Sequence, residues 1–323
     1  MLFVGCAGFP THSEPVVVKR AQMQMGTLVK ITAVALSEPV AQAAVTAGFA
    51  EIRRLEEILS TWIPTSELSR VNASAGVGPV HVSPETLTVV QRAVQIAGMT
   101  NEGFNIAIGP AVSAWSVMES QRIPSESELD ALRPLVDLQA VHVDVREQAI
   151  FLEKPGMRID VGGIGKGYAA DQAVEALRKA GAVAGVVALS GDIKTFGQLP
   201  DGKMFPIGIQ HPREDGSVLV WIDLQDEAIS TAGDYERFFE QNGIRYHHIL
   251  DPRTLQPARS CQSVTVIARE GILADGLDTG IFVMGAELGM KLVEALPDVE
   301  AIIVDAEGRL LVSSGLKQRI RLP

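Results

Sequence analysis

Apolar and polar positions alternate one by one over Thr27–Leu36 (TLVKITAVAL), the period of a half-buried strand. From Pro39 to Leu59 the spacing turns helical, with Ala43, Ala47, Ile52, Leu55 and Leu59 along one side. Ser60–Pro79 is polar and reads as one long loop, too long for a bland connector. Helical spacing resumes over Pro84–Met99, and Ser125-Glu126-Ser127-Glu128 offers a capping box for a further short helix. Val141–Val145 and Ala149–Glu153 predict a hairpin, and Met157–Val161 a strand. A helix over Gly165–Ala180 follows, with Ala170, Val174 and Leu177 on one face and a Glu175–Lys179 pair on the other. Strands are predicted at Gly185–Leu189, Phe205–Gln210, Val218–Leu224, Arg245–Leu250 and Ser263–Arg269. Helices at Leu273–Met284 and Glu287–Leu296 precede a closing hairpin that turns at Glu307-Gly308. Strands and helices mix without regular βαβ alternation, so the fold class is α+β.

Composition narrows the function classes. The 323 residues allow two domains or one large intertwined one, and 46% hydrophobic content excludes a disordered chain. A net charge of −11 argues against a nucleic-acid-binding or anionic-membrane surface. No apolar run approaches the roughly 18 residues of a membrane span. Two cysteines, Cys6 and Cys261, make no disulfide framework and no CxxC pair. Around Cys6 the sequence MLFVGCAG fits two readings: the end of a truncated lipoprotein signal with Cys6 as the lipidated residue, or an ordinary flexible start. Residues 1–20 are therefore set apart as signal or tether, and 21–323 as the folded domain.

Four segments carry candidate chemistry. In DVGGIGKGYAAD (Asp160–Asp171) a strand, glycines and a helix follow one another, the layout that aims free amides at a phosphate. It matches neither a Walker A nor a Rossmann fingerprint, and it serves equally as a turn for close packing, with Asp160 a capping acid and Lys166 a solvated charge. In Asp275-Gly-Leu-Asp278-Thr279 three hard oxygens share one helix face among apolar neighbours. Buried carboxylates that close need a cation, and such oxygens suit Mg²⁺. His247 and His248 point to opposite strand faces, so at most one faces a given cleft. That one could act as a base, though strand histidines also serve structure. Ser60-Thr61-Trp62 and Ile229-Ser-Thr231-Ala-Gly-Asp234-Tyr235 are polar segments; Trp62 could stack on a planar ring or merely anchor packing.

Taken in order, Met25-Gly26-Thr27, Ser60-Thr61-Trp62, FNIAIGP from Phe104, DVGGIGKGYAAD, ISTAGDYERFF from Ile229, HHILDPRT from His247 and LADGLDTG from Leu273 resemble the ApbE family of FAD:protein FMN transferases. The resemblance spans about residues 23–285. It implies mixed sheets with flanking helices in an intertwined two-part architecture. It further implies an enzyme that binds FAD, uses Mg²⁺ to split its pyrophosphate, passes FMN to a threonine hydroxyl of an acceptor flavoprotein, and releases AMP. Asp275, Asp278, Thr279 and the carbonyl of Gly163 fall at the family's metal ligands. Met25, Trp62, Asp160, Lys166 and Leu250 fall at its FAD contacts, together with the segment Gly103, Phe104 and Asn105. His248 falls at its candidate base. The sequence departs from the family pattern at Asn105 (usually Asp), at Ser190-Gly191-Asp192 (usually Gly-Gly-Asp) and after Thr254, where Leu255 replaces a common Gly.

With Cys6 lipidated, the expected location is the periplasmic side of a bacterial inner membrane; the alternative is cytoplasmic. Two other functions fit the same residues: an FAD pyrophosphatase with water as acceptor, and a non-catalytic flavin-binding lipoprotein. No Ser/Thr-Gly-Ala-Thr stretch of the kind the family flavinylates occurs in the chain, so the expected acceptor is another protein.

Overall fold

The computed structural model describes residues 14–323. Cys6 lies outside the described residues. In chain order the fold opens with strands β1 (Val16–Gln24) and β2 (Thr27–Ala35) and helices α1 (Glu38–Leu59) and α2 (Glu67–Ala73). Next come β3 (Val80–His81), α3 (Pro84–Met99), α4 (Gly109–Trp115), α5 (Glu126–Leu132), β4 (Val141–Asp144) and β5 (Ala149–Leu152). The middle holds α6 (Gly165–Lys179), then β6 (Ala184–Leu189), β7 (Asp192–Phe196), β8 (Phe205–Gln210), β9 (Val218–Leu224) and β10 (Ala228–Gly233). The remainder is β11 (Phe238–Gln241), β12 (Ile244–His247), β13 (Cys261–Ala268), α7 (Gly271–Met284), α8 (Ala286–Ala295), β14 (Glu300–Asp305), β15 (Leu310–Val312) and β16 (Ile320–Arg321).

An eight-stranded sheet in the order β1-β2-β6-β7-β10-β13-β14-β15 organises the molecule, each neighbouring pair antiparallel. Helices α1, α6, α7 and α8 pack on one face and bury the main core. On the other face a three-stranded sheet, β16-β9-β8, packs Ile209, Val220 and Ile222 against Ile229, Ile267 and Ile302. A second small sheet, β3-β5-β4, and the hairpin β11-β12 complete the α+β fold.

The patterned elements form within a residue or two of their predicted bounds, and the capping box at Ser125 and Glu128 is present. Four expectations change. Residues 16–20, assigned to the tether, already pair in β1; its apolar side chains do not alternate cleanly because Val17 and Met23 stay exposed. The long loop contains α2, started by Ser66, whose hydroxyl accepts from the Ser69 amide, and anchored by buried Leu68 and Val71. Met157–Val161 is extended but joins no sheet, because Asn72 takes the Ile159 amide and the Ile106 carbonyl takes the Asp160 amide. The strand predicted over Arg245–Leu250 ends at His247, after which Leu250 bridges to Pro257.

Helix α7 is buried along nearly its whole length, which its glycines permit. A Cβ on Gly271 would lie 2.5 Å from the Gly167 carbonyl, and one on Gly280 would lie 2.5 Å from the Thr100 side chain. Helix α7 therefore contacts α6 nearly backbone to backbone. Gly271→Ala is expected to destabilise the fold by about 1–3 kcal/mol, because a rigid carbonyl must move. A urea melt measures this, and an unchanged midpoint would mean that the crossing is slack.

Candidate functional site

Each of the two crossing helices caps the other. Asp275 of α7 accepts the Gly167 amide (2.8 Å) in the first turn of α6. Asp171 of α6 accepts the amides of Gly271 (2.8 Å) and Ile272 (3.0 Å) at the start of α7. Free amides and the helix dipole both favour a carboxylate there. Asp160 thus does not cap α6; its Oδ1 accepts from Gly162 in a local turn (2.8 Å). Partial burial raises its pKa.

Beside the crossing lie three buried carboxylates, Asp192, Asp275 and Asp278, each with an oxygen within 4.8 Å of the others. Asp192 opens β7, and the β7–β10 register brings Ser230 next to it. The Ser230 hydroxyl lies 2.5 Å from Asp192 Oδ1 and 2.6 Å from Asp278 Oδ2. One hydroxyl proton can serve only one of these contacts, so without a cation the other needs a proton on a carboxyl group. Burial first, then the neighbouring carboxylates, raise the pKa of both Asp275 and Asp278. Lys166 pairs with Asp192. Burial opposes its charge, but Asp192 and Asp275 outweigh that and raise its pKa. A single ammonium among three carboxylates leaves room for a divalent cation.

The histidines divide as opposite strand faces require. His247 is buried: its Nε2 donates to the Ala258 carbonyl (2.7 Å), its Nδ1 accepts from the Ile249 amide (3.2 Å), and its ring edge meets Phe282. Burial pushes its pKa down to about 4, so it is a neutral structural residue. His248 is exposed, and its Nδ1 lies 3.3 Å from the Arg237 carbonyl. A carbonyl only accepts, so Nδ1 carries the proton and the Nε2 lone pair is free. Crowding by the surrounding protein, followed by the charges of His247 and Arg237, lowers its pKa and keeps the ring neutral.

Several other predicted residues converge here. Gly163 abuts Thr279 and Phe104: a Cβ on it would lie 3.1 Å from Thr279 Oγ1 and 3.3 Å from the Phe104 ring. Thr279 donates to Asp278 Oδ1 (3.1 Å). Gly103 packs on the Gly280 carbonyl, and Asn105 caps the turn at Ala107 (2.8 Å). Met25 forms the β1–β2 turn with Gly26, its amide held by Glu56 near the end of α1. Trp62, just beyond α1, presents a ring that is 76% exposed. Leu250 buries its side chain in a separate cluster with Trp115 and Leu255, leaving only its backbone for any ligand. Asp192 and Ser230 are not among the predicted ligands; only the β7–β10 pairing brings them to α7.

The ApbE family matches residues 25–303. An FAD:protein FMN transferase of Vibrio cholerae is 35% identical over 275 residues, covering 82% of each chain. One of Klebsiella pneumoniae is 33% identical over 276 residues, covering 84% of this chain and 85% of that protein. Among solved structures, the ApbE protein from Thermotoga maritima superposes with a TM-score of 0.87 at 30% identity, over 95% of this chain and all of that one. The flavin transferase ApbE from Vibrio cholerae gives 0.84 at 29% identity, over 94% of this chain and 99% of that one.

The raised carboxyl pKa values predict a pH-dependent response to cations. In the folded chain Asp275 and Asp278 hold protons more tightly than in the unfolded one. Their stabilisation is complete below the ordinary Asp value of about 4 and is lost as pH rises through the raised folded values. Added Mg²⁺ is therefore expected to raise the melting temperature of EDTA-treated protein more at pH 8 than at pH 5. Thermal scans at both pH values check this; no cation effect at either would remove the metal assignment.

Proposed function

The chain belongs to the ApbE family, and on that basis we propose that it is an FAD:protein FMN transferase that moves the FMN half of FAD onto a threonine of an acceptor flavoprotein and releases AMP. One observation carries the reading: oxygens of buried Asp192, Asp275 and Asp278 lie within 4.8 Å of one another beside one ammonium, Lys166, which pairs with Asp192. Site and base together suit transfer better than mere flavin binding.

Mg²⁺ fits the donor set, since every available group is a hard oxygen: three carboxylates and the hydroxyls of Ser230 and Thr279. Oxygens of Asp192, Asp275 and Asp278 lie within 4.8 Å of one another, so these three residues would hold such an ion together. When bound, the ion supplies charge neutralisation at the pyrophosphate. Lys166 adds a fixed positive charge. His248 Nε2 accepts the threonine proton as the Oγ–phosphorus bond forms and the pyrophosphate P–O bond breaks, with the electron pair leaving on AMP. The exposed ring of Trp62 offers a stacking face for a planar ring of FAD.

No helix among the described residues is long and apolar enough to cross a membrane. We place the chain at the periplasmic face of the inner membrane through lipid on Cys6. In a form carrying a lipoprotein leader ahead of Cys6, Cys6→Ser is expected to move the protein from the membrane to the soluble exported fraction, read by fractionation.

Asp278→Ala is expected to abolish Mg²⁺-dependent FAD cleavage while leaving the fold intact. His248→Ala should slow transfer by about 10²–10⁴-fold with FAD affinity little changed. His247→Ala should instead lower stability by about 1–3 kcal/mol, because it strips buried partners. Single-turnover transfer of FMN at saturating FAD separates them. Normal transfer by His248→Ala would place the base elsewhere, and AMP release without acceptor labelling would make the enzyme a pyrophosphatase.

A further inference from the structure

The segment ISTAGDYERFF gives Ser230 to the acid cluster, and its Asp234 is taken up by two arginines. Arg213 grips both oxygens of that carboxylate (2.7 Å each), and Arg245 adds a third contact (3.4 Å). Arg237, three residues on, is exposed. Among the described residues no carboxylate lies within ion-pair distance of its guanidinium, and no hydrogen bond holds it. The β11–β12 register runs on from Phe238 opposite His247 to Arg237 opposite His248, where the His248 amide donates to the Arg237 carbonyl (3.1 Å). Residues directly opposite each other send their side chains to one face, with Cβ atoms about 5 Å apart. The unpartnered guanidinium therefore stands beside the imidazole whose Nε2 is free.

Contacts on both faces of the hairpin fix where this pair sits. Phe239 and Tyr246, the next pair on the same face, stack on each other (5.2 Å), and Tyr246 stacks on Trp115 at the end of α4 (5.7 Å). At the start of α4, Gly109 abuts the Arg158 carbonyl, and just before it Ile106 accepts the Asp160 amide (2.8 Å). One short helix thus carries the hairpin at one end and the Asp160 segment at the other. From there direct contacts lead to the acid cluster: Asp160 takes the Gly162 amide, Gly163 abuts Thr279, and Thr279 donates to Asp278. The charge of Arg237 is felt at Asp160, where burial raises the carboxyl pKa while the Gly162 amide, Arg158 and Arg237 pull it back. On the hairpin's other face His247 meets Phe282, one turn of α7 beyond Asp278 (5.6 Å).

Three carboxylates, Lys166 and one divalent cation sum to zero charge. Each phosphate of FAD brings a negative charge, so a pyrophosphate at this site still needs a cation from the protein. A guanidinium offers a planar fork of donors that matches phosphate oxygens. In displacement at phosphorus the attacking and leaving oxygens lie in line, so a group beside the base stands on the attacked phosphate, that of the FMN half. We propose that Arg237 is a further catalytic residue, its guanidinium gripping the non-bridging oxygens of the FMN phosphate beside His248. It exchanges no proton and forms no covalent bond; it neutralises the group being transferred and keeps hold of it when AMP leaves. This rests on the reading of the site as one that cleaves FAD.

Riboflavin, which lacks the phosphate, separates this contact from any hold on the flavin ring. Fluorescence titrations with Mg²⁺ present give the affinities for FMN and riboflavin, and calorimetry gives that for AMP. Arg237→Ala should weaken FMN binding about tenfold or more, with riboflavin and AMP affinities and the melting temperature unchanged. Arg237→Lys, which keeps the charge and loses the fork, should fall between. FMN transfer by Arg237→Ala at saturating FAD should slow about 10²-fold. Equal losses for riboflavin and FMN overturn the proposal, because Arg237 then supports the ring site or the fold. A loss for AMP instead of FMN overturns it too, since the guanidinium then holds the leaving half. Unchanged FMN affinity overturns it, and a loss in Arg158→Ala in that case gives the phosphate to the other guanidinium near Asp160. Wild-type enzyme that binds FMN no more tightly than riboflavin overturns the contact whether or not FAD is cleaved. Arg237-dependent FMN binding in an enzyme that cleaves FAD but labels no acceptor upholds the contact and removes the transferase reading.

Discussion

Asp275 and Asp278 lie three residues apart on a helix otherwise buried among apolar groups, with Asp192 facing them across the sheet end. A low-dielectric interior makes this arrangement costly unless protons or cations compensate it. The surroundings supply compensation in fixed amounts: the Lys166 ammonium, the Ser230 hydroxyl and the first-turn amide of Gly167. Reaching that amide requires α7 to approach α6 more closely than any side chain permits, hence glycine at both contact points. Charge thus dictates the packing here, and the packing holds the charges in place.

The parts written in local pattern were legible in the sequence. The helices around Ala170 and Leu277, the capping box at Ser125 and the opposite facing of His247 and His248 depend on neighbours a few residues away. So did the pairing of Asp275 with Asp278 on one helix face. What escaped depends on distant partners. Asp192 and Ser230 fall inside family-like segments, Ser190-Gly191-Asp192 and ISTAGDYERFF, but nothing local joins them to Asp275 and Asp278; β7 and β10 must first pair and then pack under α7. One of the two sequence readings makes Asp160 the cap for α6, yet a carboxylate 108 residues away from Gly167 takes that place. The β1 strand was half lost to an expected tether because its solvent face is apolar.

The two adjacent histidines differ in how many ring nitrogens the fold occupies. His247 spends both ring nitrogens on the loop that follows it, through Ile249 and Ala258. His248 spends only one, on Arg237. The neutral ring of His247 holds the path of the chain from which His248 projects. At Ser190, where the family usually has Gly, the β6–β7 turn takes φ +56°, a conformation glycine adopts at less cost, yet Asp192 still reaches the acid cluster. Asn105 in place of a family Asp keeps its capping oxygen on Ala107 while removing one negative charge near the crossing.

The reciprocal caps join Asp171 to Gly271 and Asp275 to Gly167, across 100 and 108 residues of chain. Contacts of such separation are formed late, since the entropy of closing a long loop must be met before they stabilise anything. Sheet strands β6, β7, β10 and β13 lie between the two helices in sequence, and α7 rests on β10 and β13. The half-made sheet is then the surface on which α7 finds α6. A chain arrested before α7 can have six of the eight strands of its large sheet and helices α1 to α6, and still lack both the acid cluster and the cap on α6. Competence for chemistry therefore arrives in one step near the end of assembly, and partly folded molecules carry no partial version of it.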